Sequence, residues 1–327
     1  MSSLSAEDCR KRLEHGLIPA VPVPFKKTGE IDAEAQDRYI AYMAQQPVAG
    51  VAVWAHTGRG LHLSREQRVE VLRRWSEKVG TKKIIVAGVG GSPEKAEDFS
   101  SYVSSALDMA RDALDNGAHA FLVHPPRLPR RASDRDKLAF EYHKQLAATR
   151  APLVLFYLYE AAGGIAYTPD LLGQLLALPE VVGIKLATLD SVMTFQNIAT
   201  LVTKQFPEKL LITGEDRFLG YSLACGARAA LVGMGATCTK LQHRLLRACF
   251  ERRAEEFLSL SAAVDRLSQV LFIAPMEGYI RRMLWALVHL GVLAREAAHD
   301  PWGPDLPESE FVELGSTLRA LGELPAK

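Results

Sequence analysis

Short apolar runs alternate with longer amphipathic segments along the chain. Eight of these runs are rich in Val, Ile, Leu or Ala and are too short for helices, which is typical of parallel strands buried on both faces. The runs occupy residues 17–23, 50–54, 84–89, 120–123, 153–157, 181–186, 210–213 and 229–232. The pattern therefore predicts an α/β protein in which eight strands alternate with helices.

Helix-start signals follow several of the runs. Ser64 and Gln67 form a capping-box pattern, and Thr168 precedes a proline and an acid at the start of another helical segment. Eight strand–helix units suit either a closed barrel or an open doubly wound sheet. The stretch Gly88-Val89-Gly90-Gly91 lacks the third glycine of a dinucleotide fingerprint, which would favour the open sheet. The eight units therefore favour a (β/α)8 barrel.

Strand signals stop after residue 240. Residues 241–270 and 278–294 have helical periodicity, and a shorter helical pattern covers 308–321. We predict an N-terminal extension over 1–16, a barrel over 17–245 and a C-terminal helical region over 246–327. The length of 327 residues fits a barrel of about 250 residues with such an appendage.

Composition argues against several classes of partner. The formal net charge is +1, which gives no large field to attract nucleic acid. No run of about 18 uncharged apolar residues indicates a membrane span, and the N-terminus lacks the apolar core of a secretory signal. The four cysteines show neither a Cys-x-x-Cys pair nor a zinc spacing, so we expect reduced thiols and no metal. A cytoplasmic location is the resulting expectation.

Lys185 is the only charged residue in the sixth run. A lysine inside a buried strand costs free energy unless it is paired or neutral, and burial lowers its pKa by disfavouring the ammonium form. A neutral amine can attack a ketone and form an imine. The alternative is a strand-end lysine that reaches solvent or pairs with a carboxylate. The run by itself leaves both interpretations open.

Two further features lie at strand ends, where barrel active sites are built. Tyr157 ends the fifth run, next to the sixth in a barrel, and its phenol can relay protons during imine formation. The turn Thr57-Gly58-Arg59-Gly60 follows the second run and can aim backbone N–H groups at a carboxylate. Their ordinary alternatives are a core tyrosine and a simple turn.

Taken together, these residues resemble the dihydrodipicolinate synthase/N-acetylneuraminate lyase family of class I aldolases and dehydratases. The resemblance covers roughly residues 15–295, and Lys185 follows Tyr157 by the 28 positions typical of that family. The other matching pieces are Val21-Pro22-Val23-Pro24-Phe25, Thr57-Gly58, Ala87-Gly88-Val89-Gly90-Gly91-Ser92, Asn116-Gly117-Ala118-His119-Ala120, His124-Pro125-Pro126, Gly183-Ile184-Lys185-Leu186-Ala187-Thr188 and Gly214-Glu215-Asp216.

The resemblance implies a mechanism and a set of site residues. Lys185 would condense with the carbonyl of pyruvate or another 2-keto acid, and Tyr157 would shuttle protons. The implied substrate-binding residues are Thr57, His56, Gly58, Leu231, Gly214 and Arg59, with the Leu231 carbonyl facing the amine. The resemblance implies no metal or organic cofactor, and it implies a homo-oligomer, commonly a tetramer.

The chain departs from the family pattern around this site. Its turn reads Ala55-His56-Thr57-Gly58-Arg59 where the family usually has Gly-Thr/Ser-Thr-Gly-Glu. Arg127 and Ala162 stand near the positions of a tyrosine and an arginine in dihydrodipicolinate synthases, and Glu160 replaces a proline. We therefore expect an enzyme other than dihydrodipicolinate synthase. Basic residues near strand ends suggest a substrate whose distal part is acidic or polyhydroxylated, such as a sugar-acid derivative; they are His56, Arg59, His124, Arg127, Arg130 and Arg131.

Three functions follow from these features. The first is an aldolase or a dehydratase that acts through an imine, two reactions that share their first half. The second is a non-catalytic paralogue that binds a keto acid as a sensor or scaffold. The third, a metal- or phosphate-dependent barrel enzyme, is disfavoured because the sequence offers no His/Asp/Glu ligand cluster.

Overall fold

The computed structural model describes residues 4–92, 96–127, 134–189 and 191–325. Seven parallel strands form one sheet, and their order in the sheet follows their order in the chain. The strands are β1 (Gly50–Val53), β2 (Ile84–Val89), β3 (Ala120–Val123), β4 (Leu153–Leu158), β5 (Val181–Ala187), β6 (Leu210–Thr213) and β7 (Ala229–Ala230). Each coincides, to within about two residues, with one of the predicted runs.

The first predicted run, 17–23, is not a regular strand, yet it joins the two edges of the sheet. Leu17 bridges Ala230 of β7, and Ala20 bridges Ala52 of β1, both in parallel. Prolines interrupt the run at 19 and 22, and a proline has no N–H to donate to a ladder. The sheet therefore curls into a ring that this irregular segment closes. Seven of the eight predicted strands are present in the described residues, and the first is replaced by this bridging segment.

Helices follow most strands and cover the outside of the ring. They are α1 (Ala6–Leu13), α2 (Ala33–Ala44), α3 (Arg65–Val79), α4 (Phe99–Asp115), α5 (Arg135–Ala147), α6 (Pro169–Leu176), α7 (Val192–Gln205), α8 (Leu219–Ala224), α9 (Thr239–Phe250), α10 (Ala254–Leu271), α11 (Tyr279–His289) and α12 (Glu308–Ala320). Ser64 and Gln67 form the predicted capping box of α3, and Thr168 caps α6 ahead of its N-terminal proline. These helix starts are set by local sequence.

Alternating side chains of the strands divide the core into an inner and an outer layer. In β4, Val154 and Phe156 belong to the apolar cluster inside the ring, whereas Leu155 packs in the outer cluster with the helices. Cys9 and Leu13 of α1 join the inner cluster. Since α1 directly precedes the bridging segment, it lies at the end of the ring where the strands begin.

The C-terminal helices differ from the prediction in one boundary. Helix α9 continues through residue 245, and the predicted helical stretch 241–270 is two helices, because Arg252 between them is left-handed with φ of 57°. The proposed division of the chain at residues 16 and 245 stays a prediction. No single helix in the described ranges is long and apolar enough to cross a membrane, although Ala254–Leu271 and Met276–His289, bent by 108°, pass on length and composition as a pair.

Candidate active site

A cavity of about 550 Å³ opens inside the ring at the C-terminal ends of β4, β5 and β6. Strand-end residues and residues of the C-terminal helical region both line it, at the position where barrel sites are built. The lining includes His56, Thr57, Phe156, Tyr159, Lys185, Gly214, Glu215, Asp216, Gly233, Phe272 and Tyr279.

Lys185 extends from the inner face of β5 into this cavity. The residue is only 5% exposed, and its Nζ lies 4.3 Å from the centroid of the Phe156 ring. Burial lowers the pKa of Lys185 below its ordinary value, while the nearby Asp216 and Glu215 act to raise it. The amine is therefore nearer to its neutral, nucleophilic form than an exposed lysine would be.

Gly214, a predicted site residue, leaves room for the lysine side chain. A Cβ added at Gly214 would lie 2.5 Å from Lys185 Cε and 2.8 Å from the carbonyl oxygen of Leu186. These separations are shorter than real Cβ atoms tolerate, and one of the two obstacles is backbone. Only glycine therefore fits at this position without moving the lysine or the sheet.

Two acids that the sequence prediction did not select follow β6. Glu215 accepts hydrogen bonds from the Thr188 N–H at 2.6 Å, the Thr188 hydroxyl at 2.9 Å and the Leu189 N–H at 3.2 Å. Burial raises the pKa of Glu215 to about 7, although these hydrogen bonds oppose the rise. Asp216 accepts from the Met234 N–H at 2.6 Å, and burial raises its pKa as well. Two adjacent acids directly after a buried strand were the available sequence signal.

The turn after β1 forms the rim of the cavity. Residues His56–Gly58 make one 3-10 turn, whose first N–H groups have no acceptor within the turn itself. Thr57 is buried, with Oγ1 3.2 Å from the Tyr279 hydroxyl. Gly58 lets the turn pack closely against the backbone of Val21, because a Cβ at Gly58 would lie 2.9 Å from the carbonyl oxygen of Val21. A carboxylate site at this turn stays a prediction.

His56 is uncharged in this setting. Burial, followed by the neighbouring charges of Arg59 and Lys185, lowers its pKa to about 3. Its Nδ1 lies 3.0 Å from the Tyr279 hydroxyl, and its Nε2 lies 3.6 Å from the Glu277 carboxylate. A neutral imidazole does not form an ion pair, so the approach to Glu277 is a contact between polar groups only.

Arg59, predicted to bind substrate, is held by two carboxylates of the C-terminal region. Its Nη2 donates to Asp300 at 2.7 Å, and its Nη1 donates to Glu277 at 2.8 Å. Asp300 raises the pKa of the guanidinium, which is permanently charged. Its positive charge is therefore already balanced by these two carboxylates. Direct binding of substrate by Arg59 stays a prediction.

Tyr157 does not stand beside the lysine, contrary to the sequence prediction. Its ring packs in the outer cluster, 5.9 Å from the Tyr167 ring, and the inner position belongs to Phe156. The cause is the pairing of β4 with β5, in which Leu153 opposes Val181 but Val154 opposes Gly183. Because of this one-residue shift, Lys185 pairs with Phe156, and Tyr157 pairs with Leu186. Neighbouring residues of a strand point to opposite faces, so Tyr157 is on the face opposite to that of Phe156.

Leu231, a predicted site residue, is buried directly after β7. It belongs to the inner cluster, and its N–H donates to the Thr213 carbonyl at 2.8 Å, one residue beyond the regular part of β7. Contact between the Leu231 carbonyl and Lys185 stays a prediction. Within the part of the chain that the structure describes, no group of three or more His, Cys, Asp or Glu is placed to hold a metal ion.

Comparison with known proteins identifies the family of the chain. The sequence model of the dihydrodipicolinate synthetase family matches residues 13–321, nearly the whole chain. The chain belongs to this family. An uncharacterized DapA-like lyase of Thermococcus kodakarensis is 26% identical to it over 264 residues, which cover 80% of this chain and 85% of the relative.

Solved structures of the family share the fold. Dihydrodipicolinate synthase from Oceanobacillus iheyensis has a TM-score of 0.82 at 21% identity, with 98% of this chain and 100% of that chain covered. YagE, a prophage protein of the dihydrodipicolinic acid synthase family from E. coli K12 solved with pyruvate, has a TM-score of 0.81 at 20% identity, covering 94% and 98% of the two chains. The curled parallel sheet is therefore the barrel of this family.

A second cavity, of about 340 Å³, adjoins the first in this family member, and His56 and Leu158 line both. Its other walls include Arg59, His124 and Arg127. Burial lowers the pKa of His124 to about 3, so this imidazole is also uncharged. The predicted Arg130 and Arg131 lie outside the described residues. Arg127, by contrast, makes no ion pair with any other residue that the structure describes, whereas Arg59 is paired.

The C-terminal region supplies site residues that sequence reasoning missed. Phe272, Glu277, Tyr279 and Asp300 contact the cavity or the turn after β1. No local pattern marks them, because they meet this turn only after the chain folds back across the mouth of the barrel. The helical region predicted as an appendage is therefore part of the site.

Proposed function

We propose that this protein is a lyase that joins Lys185 to a 2-keto acid, pyruvate or a longer relative, through an imine. The observation that carries the proposal is a 5% exposed amine of lowered pKa inside a cavity at the C-terminal ends of the strands. Such an amine is the usual nucleophile toward ketones. The pyruvate in the YagE structure supports this class of ligand.

The turn after β1 is the proposed site for the carboxylate of the keto acid. Thr57 offers a hydroxyl, and the first N–H groups of the His56–Gly58 turn lack acceptors within it. A short helical turn of this kind favours anions because its N–H groups converge. With the carboxylate held there, the ketone carbon is left to meet the amine of Lys185.

The imine explains why a lyase of this kind requires no metal. Once protonated, it withdraws electrons from the bond beside it, so that either a carbon–carbon bond or a carbon–hydrogen bond can break to leave an enamine. Aldol cleavage, aldol condensation and dehydration all pass through this enamine. The proposal therefore covers carbon–carbon and carbon–oxygen lyases alike.

The second cavity is the proposed site for the distal part of the substrate. Three imidazoles and two guanidiniums line it; two of the imidazoles, His56 and His124, are uncharged, and the charge of Arg59 is balanced by carboxylates. Such a lining suits hydroxyl groups better than several negative charges. We propose a polyhydroxylated chain such as that of a sugar acid. Arg127→Ala should raise KM for such substrates and leave pyruvate adduct formation unchanged. Turnover only with apolar or cationic 2-keto acids would contradict this assignment.

Reductive trapping tests the imine. The protein is incubated with pyruvate and borohydride, its intact mass is measured, and the modified peptide is mapped. We expect one adduct on Lys185, and none at that position in Lys185→Ala. A panel of longer 2-keto acids extends the search beyond pyruvate.

A second lysine, which is half-buried, provides the control. Lys209 also has a pKa lowered by burial, but its amine donates to the Leu178 and Val181 carbonyls at 3.2 and 2.8 Å, at the end of the sheet where β6 begins. Lys209→Ala should keep the adduct on Lys185. If no member of the panel gives an adduct, the imine mechanism is wrong, and a non-catalytic keto-acid-binding protein replaces it.

We also propose a homo-oligomer, a tetramer by resemblance to the family. An exposed apolar patch supports self-association: Met193 is 74% exposed at the start of α7, and Tyr221 of α8 is 43% exposed. Gln196 of α7 contacts the Tyr221 hydroxyl, so these residues lie on one surface. Light scattering at several concentrations measures the mass, and a monomer throughout would contradict the proposal.

A further inference from the structure

The inner face of β4 offers no hydroxyl where proton transfer to the imine is needed. Phe156 lies under the amine of Lys185, with 4.3 Å between Nζ and the ring centroid. A phenyl ring carries no exchangeable proton. Imine formation nevertheless moves a proton from the amine to the carbonyl oxygen, so another group of the cavity has to carry it.

Tyr279 brings a hydroxyl to the same cavity. It is the first residue of α11, and its ring stacks on Phe272 at 4.8 Å between centroids. Its hydroxyl lies 3.2 Å from Thr57 Oγ1 and 3.0 Å from His56 Nδ1. Tyr279 thus joins the proposed carboxylate site to the imidazole of His56 in one hydrogen-bonded chain.

The imidazole extends this chain toward solvent. Its Nε2 faces the Glu277 carboxylate at 3.6 Å, which favours the tautomer with hydrogen on Nε2. Nδ1 is then the acceptor, and the Tyr279 hydroxyl donates to it. Glu277 is 39% exposed, so a water or a small movement of its side chain completes the path to bulk solvent.

The ion pairs of Arg59 fix the far end of the chain. Arg59 donates to Glu277 at 2.8 Å and is itself held by Asp300 at 2.7 Å. These contacts keep the carboxylate beside the His56 ring. Arg59, which stands where the family usually has a glutamate, therefore positions the Glu277 carboxylate. The charge of Arg59 itself is balanced by Asp300 and Glu277.

We propose that Tyr279, His56 and Glu277 form a proton relay that serves the imine of Lys185 in place of a tyrosine on β4. This inference rests on the proposed function, since it concerns the protons of that reaction. Tyr279 is the catalytic member that reaches the reacting atoms. His56 and Glu277 carry the proton onward, and Arg59 is a positioning residue.

The proton balance of the reaction defines the task of the relay. Attack of the neutral amine on the ketone forms a C–N bond, and one proton passes from nitrogen to the former carbonyl oxygen. A second proton, delivered from solvent, converts that hydroxyl to water, which leaves as the protonated imine forms. Loss of a proton from the adjacent carbon then gives the enamine, and this proton returns to solvent along the same chain.

Exchange of the methyl hydrogens of pyruvate in D2O tests the relay without knowledge of the second substrate. The wild type is incubated with pyruvate, and loss of the methyl proton signal is followed by NMR. Tyr279→Phe keeps the ring and its stacking but removes the hydroxyl. We expect exchange to fall by about 100-fold or more, within the range of general acid–base catalysis, while the borohydride adduct still reaches its full yield at long times.

Three further variants make the test specific. His56→Asn keeps a hydrogen-bonding group near Tyr279 but removes the ring that carries a proton between its two nitrogens, so we expect at least a 10-fold loss. Tyr157→Phe removes the hydroxyl on the outer face of β4 and should exchange like the wild type. Tyr159→Phe removes the hydroxyl of another tyrosine that lines the cavity, and its exchange should be faster than that of Tyr279→Phe. His56→Asn carries the test if Tyr279→Phe does not fold.

The outcomes separate this inference from the proposed function. A wild type that gives no adduct with any keto acid overturns the imine mechanism itself. A wild-type adduct on Lys185, together with Tyr279→Phe exchange within twofold of the wild type, overturns the relay alone. A large loss in Tyr159→Phe or Tyr157→Phe instead of Tyr279→Phe also overturns it.

Discussion

The ion pair between Arg59 and Asp300 ties the turn after β1 to the C-terminal region. Both side chains are almost fully buried, with exposures of 4% and 2%, and Nε and Nη2 of the guanidinium both reach the carboxylate. Removing one partner of a buried pair costs about 3–5 kcal/mol, because the other charge stays buried without compensation. Glu277 still accepts from Arg59, so we expect Asp300→Asn to lie near the lower end, at about 3 kcal/mol.

This free energy converts to a measurable shift in thermal unfolding. The entropy of unfolding is about 2.1 cal/mol/K per residue, so for 327 residues a loss of about 3 kcal/mol lowers Tm by about 4 °C. Urea unfolding followed by circular dichroism gives the free energy, and a thermal scan gives Tm. Glu77→Gln is the control, because its ion pair with Arg73 is 69% and 68% exposed and should contribute nothing measurable.

A double variant separates the buried charge from the lost packing. In Arg59→Met with Asp300→Leu both charges are gone, so no guanidinium is left unpaired. We expect the double variant to be more stable than Asp300→Leu alone, which a sum of two independent destabilising effects does not allow. If Asp300→Asn unfolds within about 0.5 kcal/mol of the wild type, the ion pair does not hold the C-terminal region and the reasoning fails.

Two further predictions concern the lysine. Gly214→Ala should slow adduct formation about 100-fold, because a Cβ at this position would lie 2.5 Å from Lys185 Cε. Gly173→Ala is the control and should not slow it, because a Cβ there would have nothing within 4 Å. Equal rates of adduct formation in the two variants would refute the steric argument. The initial trapping rate should rise with pH, with a midpoint below the ordinary lysine pKa of about 10.4, because burial lowers the pKa of Lys185. Asp216→Asn removes a carboxylate that raises this pKa, so the midpoint should move to lower pH, and an unmoved midpoint would contradict that cause.

The strands were predictable from the sequence because burial on both faces leaves a local trace. An apolar run such as 84–89 is too short for a helix, and its bounds agree with β2. The run 17–23 was predicted as a strand on the same ground, but its prolines leave it with bridges only. Lys185 was identified for a related reason, because a single charged residue in an apolar run can be recognised from the residues next to it.

The sequence did not determine which side chains of β4 face the inside of the barrel. Alternation requires Phe156 and Tyr157 to face opposite sides, but it does not say which of them faces inward. If every residue of β4 paired with the residue 28 positions later in the chain, as Leu153 pairs with Val181, Tyr157 would lie opposite Lys185. The extra residue lies in β5, where Val182 has no partner in β4, and it brings Lys185 opposite Phe156; the irregularity is seen only when the two strands pair.

The sequence by itself thus determined the alternating architecture, the amine in the sixth run and the turn after β1, because each depends on neighbours along the chain. Tertiary structure alone decided which hydroxyl meets the turn after β1, since Tyr279 reaches Thr57 across 222 positions. It also decided that Arg59 is paired, because Asp300 lies 241 positions away. Contacts of this kind depend on how the C-terminal region folds back, and no local pattern encodes them.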